Sequence, residues 1–268
     1  MSGYYVRAYA TNAEGTAYGE QKTLITLNDT PVDYGSFTDS RDGKVYKTVN
    51  IGDQVWMAEN LAYLPSVVGA DTGFENETDL YYYVYGYDGK DVAAAKATAY
   101  YQTYGVLYNW SAAMNGSQSS SSNPSGVQGA CPPGWHLPSD AEWTQLKEYL
   151  IANGYNYDGT TEGDKIAISL ASATGWHSSG NVGAIGNPNT VYDIFRNKSG
   201  FSALPGGYRT YTLFIFVRIG STGHWWSSTQ DDTNFAIPRN LHYFSSYVTE
   251  ATFNKGSALS IRCVRDSD

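Results

Sequence analysis

The feature that most constrains the fold is Ser139-Asp140-Ala141-Glu142, a capping box set into a chain that otherwise reads as short strands and turns. In such a box the serine hydroxyl accepts from the backbone N–H three residues on while the glutamate reaches back, so two orphan donors at the helix start are satisfied together. A helix opens here, Trp143, Leu146, Leu150 and Ile151 share one of its faces, and Asn153-Gly154 ends it. Residues 91–104, rich in alanine, are compatible with a second helical stretch. The rest is strand-like. Residues 45–51, a turn at Gly52-Asp53 and residues 54–57 make a hairpin, residues 81–85 read as a strand, and short strands and turns return beyond Gly200. Helices inside a mostly β, loop-rich chain specify an α+β fold. Residues 65–79 lack periodicity and read as a surface insertion, and the Ser/Asn/Gly stretch 115–129 as a solvated loop.

Residues 3–27 alternate as a β-hairpin turning at residues 12–16, and the alternation breaks into a linker around Asn28-Asp29-Thr30-Pro31. This hairpin resembles the last two strands of a fibronectin-type or immunoglobulin-like domain. The expected organisation is a hairpin remnant plus linker over residues 1–30 and one main domain over 31–268.

Twenty-four tyrosines, seven tryptophans and only 16% charged residues fit an extracellular, β-rich binding protein better than a cytoplasmic enzyme. A net charge of −9 without clustered lysine or arginine argues against nucleic acid or an anionic membrane as partner. No apolar run approaches the roughly 20 residues that cross a bilayer, so direct membrane insertion is not expected. Residues 1–4 lack a secretion signal, so an exported chain would carry its signal outside this sequence. Cys131 and Cys263 are too few for a cysteine metal cage; they read as a disulfide closing a long loop, with two buried free thiols as the alternative.

Six segments stand out along the chain: DGKVYKTVNIGDQVWMAENL at 42–61, YGVLYNWSAAM at 104–114, ACPPGWHLPSDAEW at 130–143, GFSALPGGYR at 200–209, WWSST at 225–229 and IRCVRD at 261–266. Together, and in this order, they resemble the Fibrobacter succinogenes major paralogous domain, a repeated module of bacterial surface proteins. The resemblance implies a C-type-lectin-like fold with small twisted antiparallel sheets, two helices and long loops, related to the formylglycine-generating enzymes. It also implies a Cys131–Cys263 bridge from the pre-helix segment to the final strand, and Trp135 as a core plug.

Chemistry is not expected. The formylglycine-generating relatives use a pair of C-terminal cysteines to hold copper, and this chain has one cysteine there, so neither that activity nor the cofactor carries over. His136, His177, His224 and His242 lack metal-ligand spacing, no serine lies in G-x-S-x-G, and Asp231-Asp232 would point to opposite faces of a strand. Asn187-Pro188-Asn189 only partly matches the calcium motif of C-type lectins, so no metal or cofactor is assigned.

The expected function is binding: extracellular or cell-surface adhesion, or phage-tail receptor binding, to a protein or glycan on a cell surface. The alternatives are a calcium-independent carbohydrate-binding module and a structural surface or pilus-tip module. The expected contact residues are Tyr211, Phe214 and Phe216 in an apolar segment, then Asp232, Asn234, Phe235, Arg239, Asn240, His242, Phe244, Tyr247, Thr249, Phe253 and Asn254, an aromatic and polar mixture suited to recognition. A further expectation comes from C-type-lectin-like proteins diversified by retroelements, whose mutated Asn codons cannot yield Glu, Gln, Lys, Met or Trp. Between Asp231 and Arg262 only Glu250 and Lys255 belong to that set.

Overall fold

The computed structural model describes residues 2–26, 31–73 and 78–266. The chain divides into two compact units, residues 1–32 and 33–268. In the first, Ser2–Val6 pairs antiparallel with Lys22–Thr26, and Tyr9–Asn12 pairs with Gly15–Tyr18. Asn12 sets the turn, its Oδ1 accepting from the N–H groups of Glu14 and Gly15.

The second unit is α+β, built from small, mostly antiparallel sheets. One five-stranded sheet runs in the order Trp135–His136, Val264–Arg265, Gln54–Met57, Val45–Ile51, Tyr34–Thr38. Its two edges curl toward each other, since Phe37 on one packs 5.0 Å from Trp135 on the other. The second five-stranded sheet runs Phe216–Val217, Tyr208–Arg209, Ala258–Leu259, Leu107–Asn109, Tyr82–Tyr83. A three-stranded sheet places Arg239–His242 between Thr222–Trp225 and Thr249–Glu250, and Phe235–Ala236 pairs with Phe253–Asn254.

The capping box forms as the sequence requires. Ser139 Oγ accepts from the Glu142 N–H at 3.2 Å, and Glu142 Oε2 accepts from the Ser139 N–H at 2.9 Å. The helix spans Asp140–Ala152 and buries Trp143, Leu146 and Leu150; Ile151 is only half-buried. It ends at Asn153, followed by Gly154 at a positive φ of 73°. The alanine-rich stretch is two short helices, Val92–Lys96 and Ala99–Tyr104, because the Thr98 hydroxyl caps a new start by accepting from the Tyr101 N–H.

Cys131 and Cys263 form a disulfide with Cα atoms 6.0 Å apart, joining positions 132 residues apart. In the chain-entropy account a loop of that length stabilises by about 5 kcal/mol. The bridge lies in a core with Met57, Leu61, Tyr108, Leu137, Trp226 and Ile261, and Trp135 fills it at 2% exposure.

One loop expectation needs correction. Of the segment 65–79, residues 74–77 lie outside the described residues, and 65–73 are built into the fold: Val67 and Ala70 are buried, and the Val68 N–H donates to the Tyr82 carbonyl. Residues 115–129 form the expected loop, exposed over most of its length, and it is pinned at its middle, where the Ser120 N–H donates to the Ser228 carbonyl and the hydroxyls of Ser228 and Thr229 donate to the Ser120 carbonyl.

Candidate ligand-binding surface

The apolar segment after the GGYR motif forms a hairpin in which Tyr208 pairs with Val217 and Arg209 with Phe216. Gly207, at φ 63°, makes the entry possible, since a Cβ there would run into the Val217 carbonyl oxygen. At the far end the Thr210 N–H donates to the Ile215 carbonyl at 2.9 Å. Phe214 and Arg218 take positive φ values of 54° and 68°, a region that costs a bulky L-residue on the order of 1 kcal/mol or more.

Arg209 holds this hairpin from beneath. Its side chain is fully buried; Nε donates to the Ala70 carbonyl at 2.8 Å, Nη2 to the Thr72 carbonyl at 2.8 Å and Nη1 to the Gly256 carbonyl at 3.0 Å. The guanidinium also lies 5.1 Å from the Tyr83 ring centre and 5.0 Å from that of Phe214. Burial lowers its pKa, opposed by the charges of Tyr83 and Asp71. With the base clamped, Leu213 stands 66% exposed and Ile215 47% exposed. Beside them a groove of 590 Å³ is lined by Ala70, Asp71, Tyr85, Gly86, Asp88, Phe214, Ile215 and Phe216.

The expected contact residues fall into three settings. Tyr211, Phe214 and Phe216 are half-buried in the hairpin, with Tyr211 and Phe214 rings 6.1 Å apart. Asp232, Asn234 and Phe235 are exposed on a neighbouring turn, where Asp232 Oδ1 accepts from the N–H groups of Asn234 and Phe235. Phe235 pairs with Asn254 and Ala236 with Phe253, and both Phe253 and Asn254 are half-buried. Lys255 seals this turn, its ammonium donating to the carbonyls of Asp232 and Thr233 and lying 4.5 Å from the Trp110 ring centre. The third setting is a ribbon with Phe244 and Tyr247 exposed and His242 and Thr249 half-buried, His242 and Phe244 rings 3.8 Å apart.

Arg239 and Asn240 do not belong to a contact surface. They lie in the middle strand of the three-stranded sheet, where both faces are covered, and are 1% and 7% exposed. Arg239 Nη2 pairs with Asp140 Oδ1 at 2.6 Å, and Asn240 Oδ1 meets His224 Nδ1 at 2.6 Å.

The histidines are engaged in unlike ways. His136 is 3% exposed and bridges Glu142 Oε1 and Asp266 Oδ1, each at 2.6 Å. Burial works to lower its pKa, but the hydrogen bonds and charges of Glu142 and Asp266 prevail and raise it. His224 is buried among neutral partners, and burial pulls its pKa down to about 4. His177 Nδ1 lies 3.2 Å from Ser221 Oγ, a pairing invisible in the sequence because 44 residues separate them. Asn187 and Asn189 make an ordinary turn, their side-chain oxygens accepting from the N–H groups of Asn189 and Val191.

Sequence reasoning missed Arg209 as the clamp and Asp71, Tyr85 and Asp88 as groove residues. The GGYR motif was a signal for the first; the others come from segments joined only by tertiary folding. The family model described as the Fibrobacter succinogenes major domain matches residues 49–265, from the Val45–Ile51 strand through the last strand. No curated protein and no solved structure matches the chain. The motif order, the capped helix, the disulfide and this match agree: the chain belongs to the Fibrobacter succinogenes major domain family.

Proposed function

We propose that the domain is a non-catalytic, extracellular ligand-binding or adhesion module, and that the hairpin over residues 208–217 is its principal contact element. The observation that carries this reading is the exposure of Leu213 and Ile215 on a hairpin that holds Phe214 at positive φ, is followed by Arg218 at positive φ, and is clamped by a buried arginine. A hairpin serving only as a connection gains nothing from strained backbone and aliphatic side chains in water. Partners are proteins or glycans on a cell surface, reached by aromatic and aliphatic contact rather than by transformation.

A second contact region is the exposed set Asp232, Asn234, Phe235, Phe244 and Tyr247, which supports a variable recognition face. Glu250 and Lys255, which diversified Asn codons could not encode, are both tied into the framework, Glu250 to Lys147 at 2.7 Å and Lys255 to the 230–233 turn.

Substituting Leu213→Ser together with Ile215→Ser tests the principal reading. Binding of the purified chain to intact cells and to immobilised glycans is expected to fall at least about tenfold, as for loss of apolar anchors at a contact centre, with thermal unfolding unchanged. Undiminished binding by the double variant would remove the hairpin from the contact surface.

A further inference from the structure

Resting on the reading above, we infer that the groove beside the hairpin receives a basic side chain, lysine or arginine, presented by a partner protein. The groove has an aromatic wall and an acidic rim. On the wall, Tyr85 and Phe216 lie with ring centres 5.2 Å apart, and Tyr100 meets Tyr85 edge-on at 5.3 Å. At the rim, Asp71 and Asp88 come together at Gly69: a Cβ there would lie 3.1 Å both from Asp71 Oδ1 and from the Asp88 carbonyl oxygen. Asp88 Oδ1 accepts from the Ala70 N–H at 3.3 Å, and Asp71 Oδ1 from the Thr72 hydroxyl at 3.4 Å, both long contacts. Neither carboxylate has an ion-pair partner among the described residues. Arg209 is near enough to feel the charge of Asp71, but its N–H groups are directed at the carbonyls of Ala70, Thr72 and Gly256. It thereby fixes the loop that carries Asp71, and both carboxylates stay open to a ligand.

Charge and shape select the occupant. The aliphatic stem of a lysine or arginine matches the Ile215, Phe216 and Tyr85 wall, while its cation reaches the rim carboxylates and the ring faces. A flat sugar ring is a poorer fit, because the Tyr85 ring is tilted 38° from Phe216 and 62° from Tyr100, so no two of these rings make a level platform. Anionic ligands meet two carboxylates on a chain of net charge −9.

The test is an amide-shift NMR titration of the ¹⁵N-labelled full chain with four probes: the peptide Gly-Lys-Gly-Lys-Gly, its arginine counterpart, the lysine peptide acetylated on its side chains, and a neutral cello-oligosaccharide. The lysine and arginine peptides are expected to shift the amides of Asp71, Gly86, Asp88, Ile215 and Phe216. Their dissociation constants should rise about tenfold in the Asp71→Asn/Asp88→Asn variant, which keeps the Ala70 N–H acceptor, and acetylation should abolish the shifts. Equal binding of the acetylated peptide, or unaltered affinity in the double asparagine variant, would overturn the inference. Groove shifts caused by the oligosaccharide but not by the lysine peptide would also overturn it and leave the ligand-binding reading standing. Silence of the groove toward every probe sinks the inference, and sinks the reading too only if the Leu213→Ser/Ile215→Ser variant also keeps full surface binding.

Discussion

Arg262 directs Nε to Asn60 Oδ1, Nη1 to the Met57 and Phe201 carbonyls and Nη2 to the Ser202 carbonyl, whereas Arg209 reaches the carbonyls of Ala70, Thr72 and Gly256. Both guanidiniums are fully buried without an ion-pair partner among the described residues, and both lie against aromatic rings, Arg262 at 4.6 Å from the Phe201 ring centre. The segments they join differ. Arg262 ties the residue beside the disulfide to the 57–60 and 201–202 segments, so everything it touches belongs to the frame. Arg209 ties a displayed hairpin to that frame. Burial lowers the Arg262 pKa to about 9 against the opposing charges of Glu59 and Tyr34, so its hydrogen bonds act against a large desolvation cost. The same device serves stability at one place and pre-organisation at the other.

The comparison breaks first at Arg262. Arg262→Met leaves the Met57, Phe201 and Ser202 carbonyls and Asn60 Oδ1 without that donor, which should cost about 3–5 kcal/mol in urea unfolding. Arg209→Met removes three carbonyl contacts at the edge of the core and should cost less, about 2 kcal/mol, yet abolish the binding assigned to the hairpin. If Arg209→Met proved the more destabilising and left binding intact, the two roles would be reversed.

How much of this was legible depends on range. The capped helix and the Val45–Ile51 hairpin are local, and the sequence carries them in adjacent residues. Two cysteines left a disulfide or a pair of buried thiols open, the family resemblance implied the bridge, and the bridge forms. The groove showed only in part: Phe214 and Phe216 stood among the expected contact residues, but Asp71, Tyr85 and Asp88 are polar or aromatic residues of ordinary appearance whose meeting with them depends on tertiary folding. Arg239 misled for a related reason: it stood in an aromatic and polar mixture suited to recognition, but its strand is central, and Asp140 and Thr144 of the Asp140–Ala152 helix receive the guanidinium.

Two histidines sharpen the picture of the frame through pH. His136 has a raised pKa, so its contribution is complete below the unfolded value of about 6.5 and is lost as pH rises through the folded value. His224 has a pKa lowered to about 4, so it stays neutral in the fold and withdraws stability as pH falls below about 6.5. Melting temperatures across pH 5 to 9 should therefore decline on the alkaline side in the parent chain and lose that decline in His136→Asn; an unchanged alkaline slope would remove His136 from the account. The smallest effect is expected at the tip, where Leu213→Ser should change stability by no more than about 0.5 kcal/mol because the side chain stands in water.

The central claim is that the hairpin is held stiff while its apolar tip faces outward. Backbone ¹⁵N order parameters at Leu213, Phe214 and Ile215 test it most directly. Values near about 0.8, close to those of the frame strands, are predicted, and values below about 0.6 would show a loose loop whose exposed aliphatics are not presented for binding.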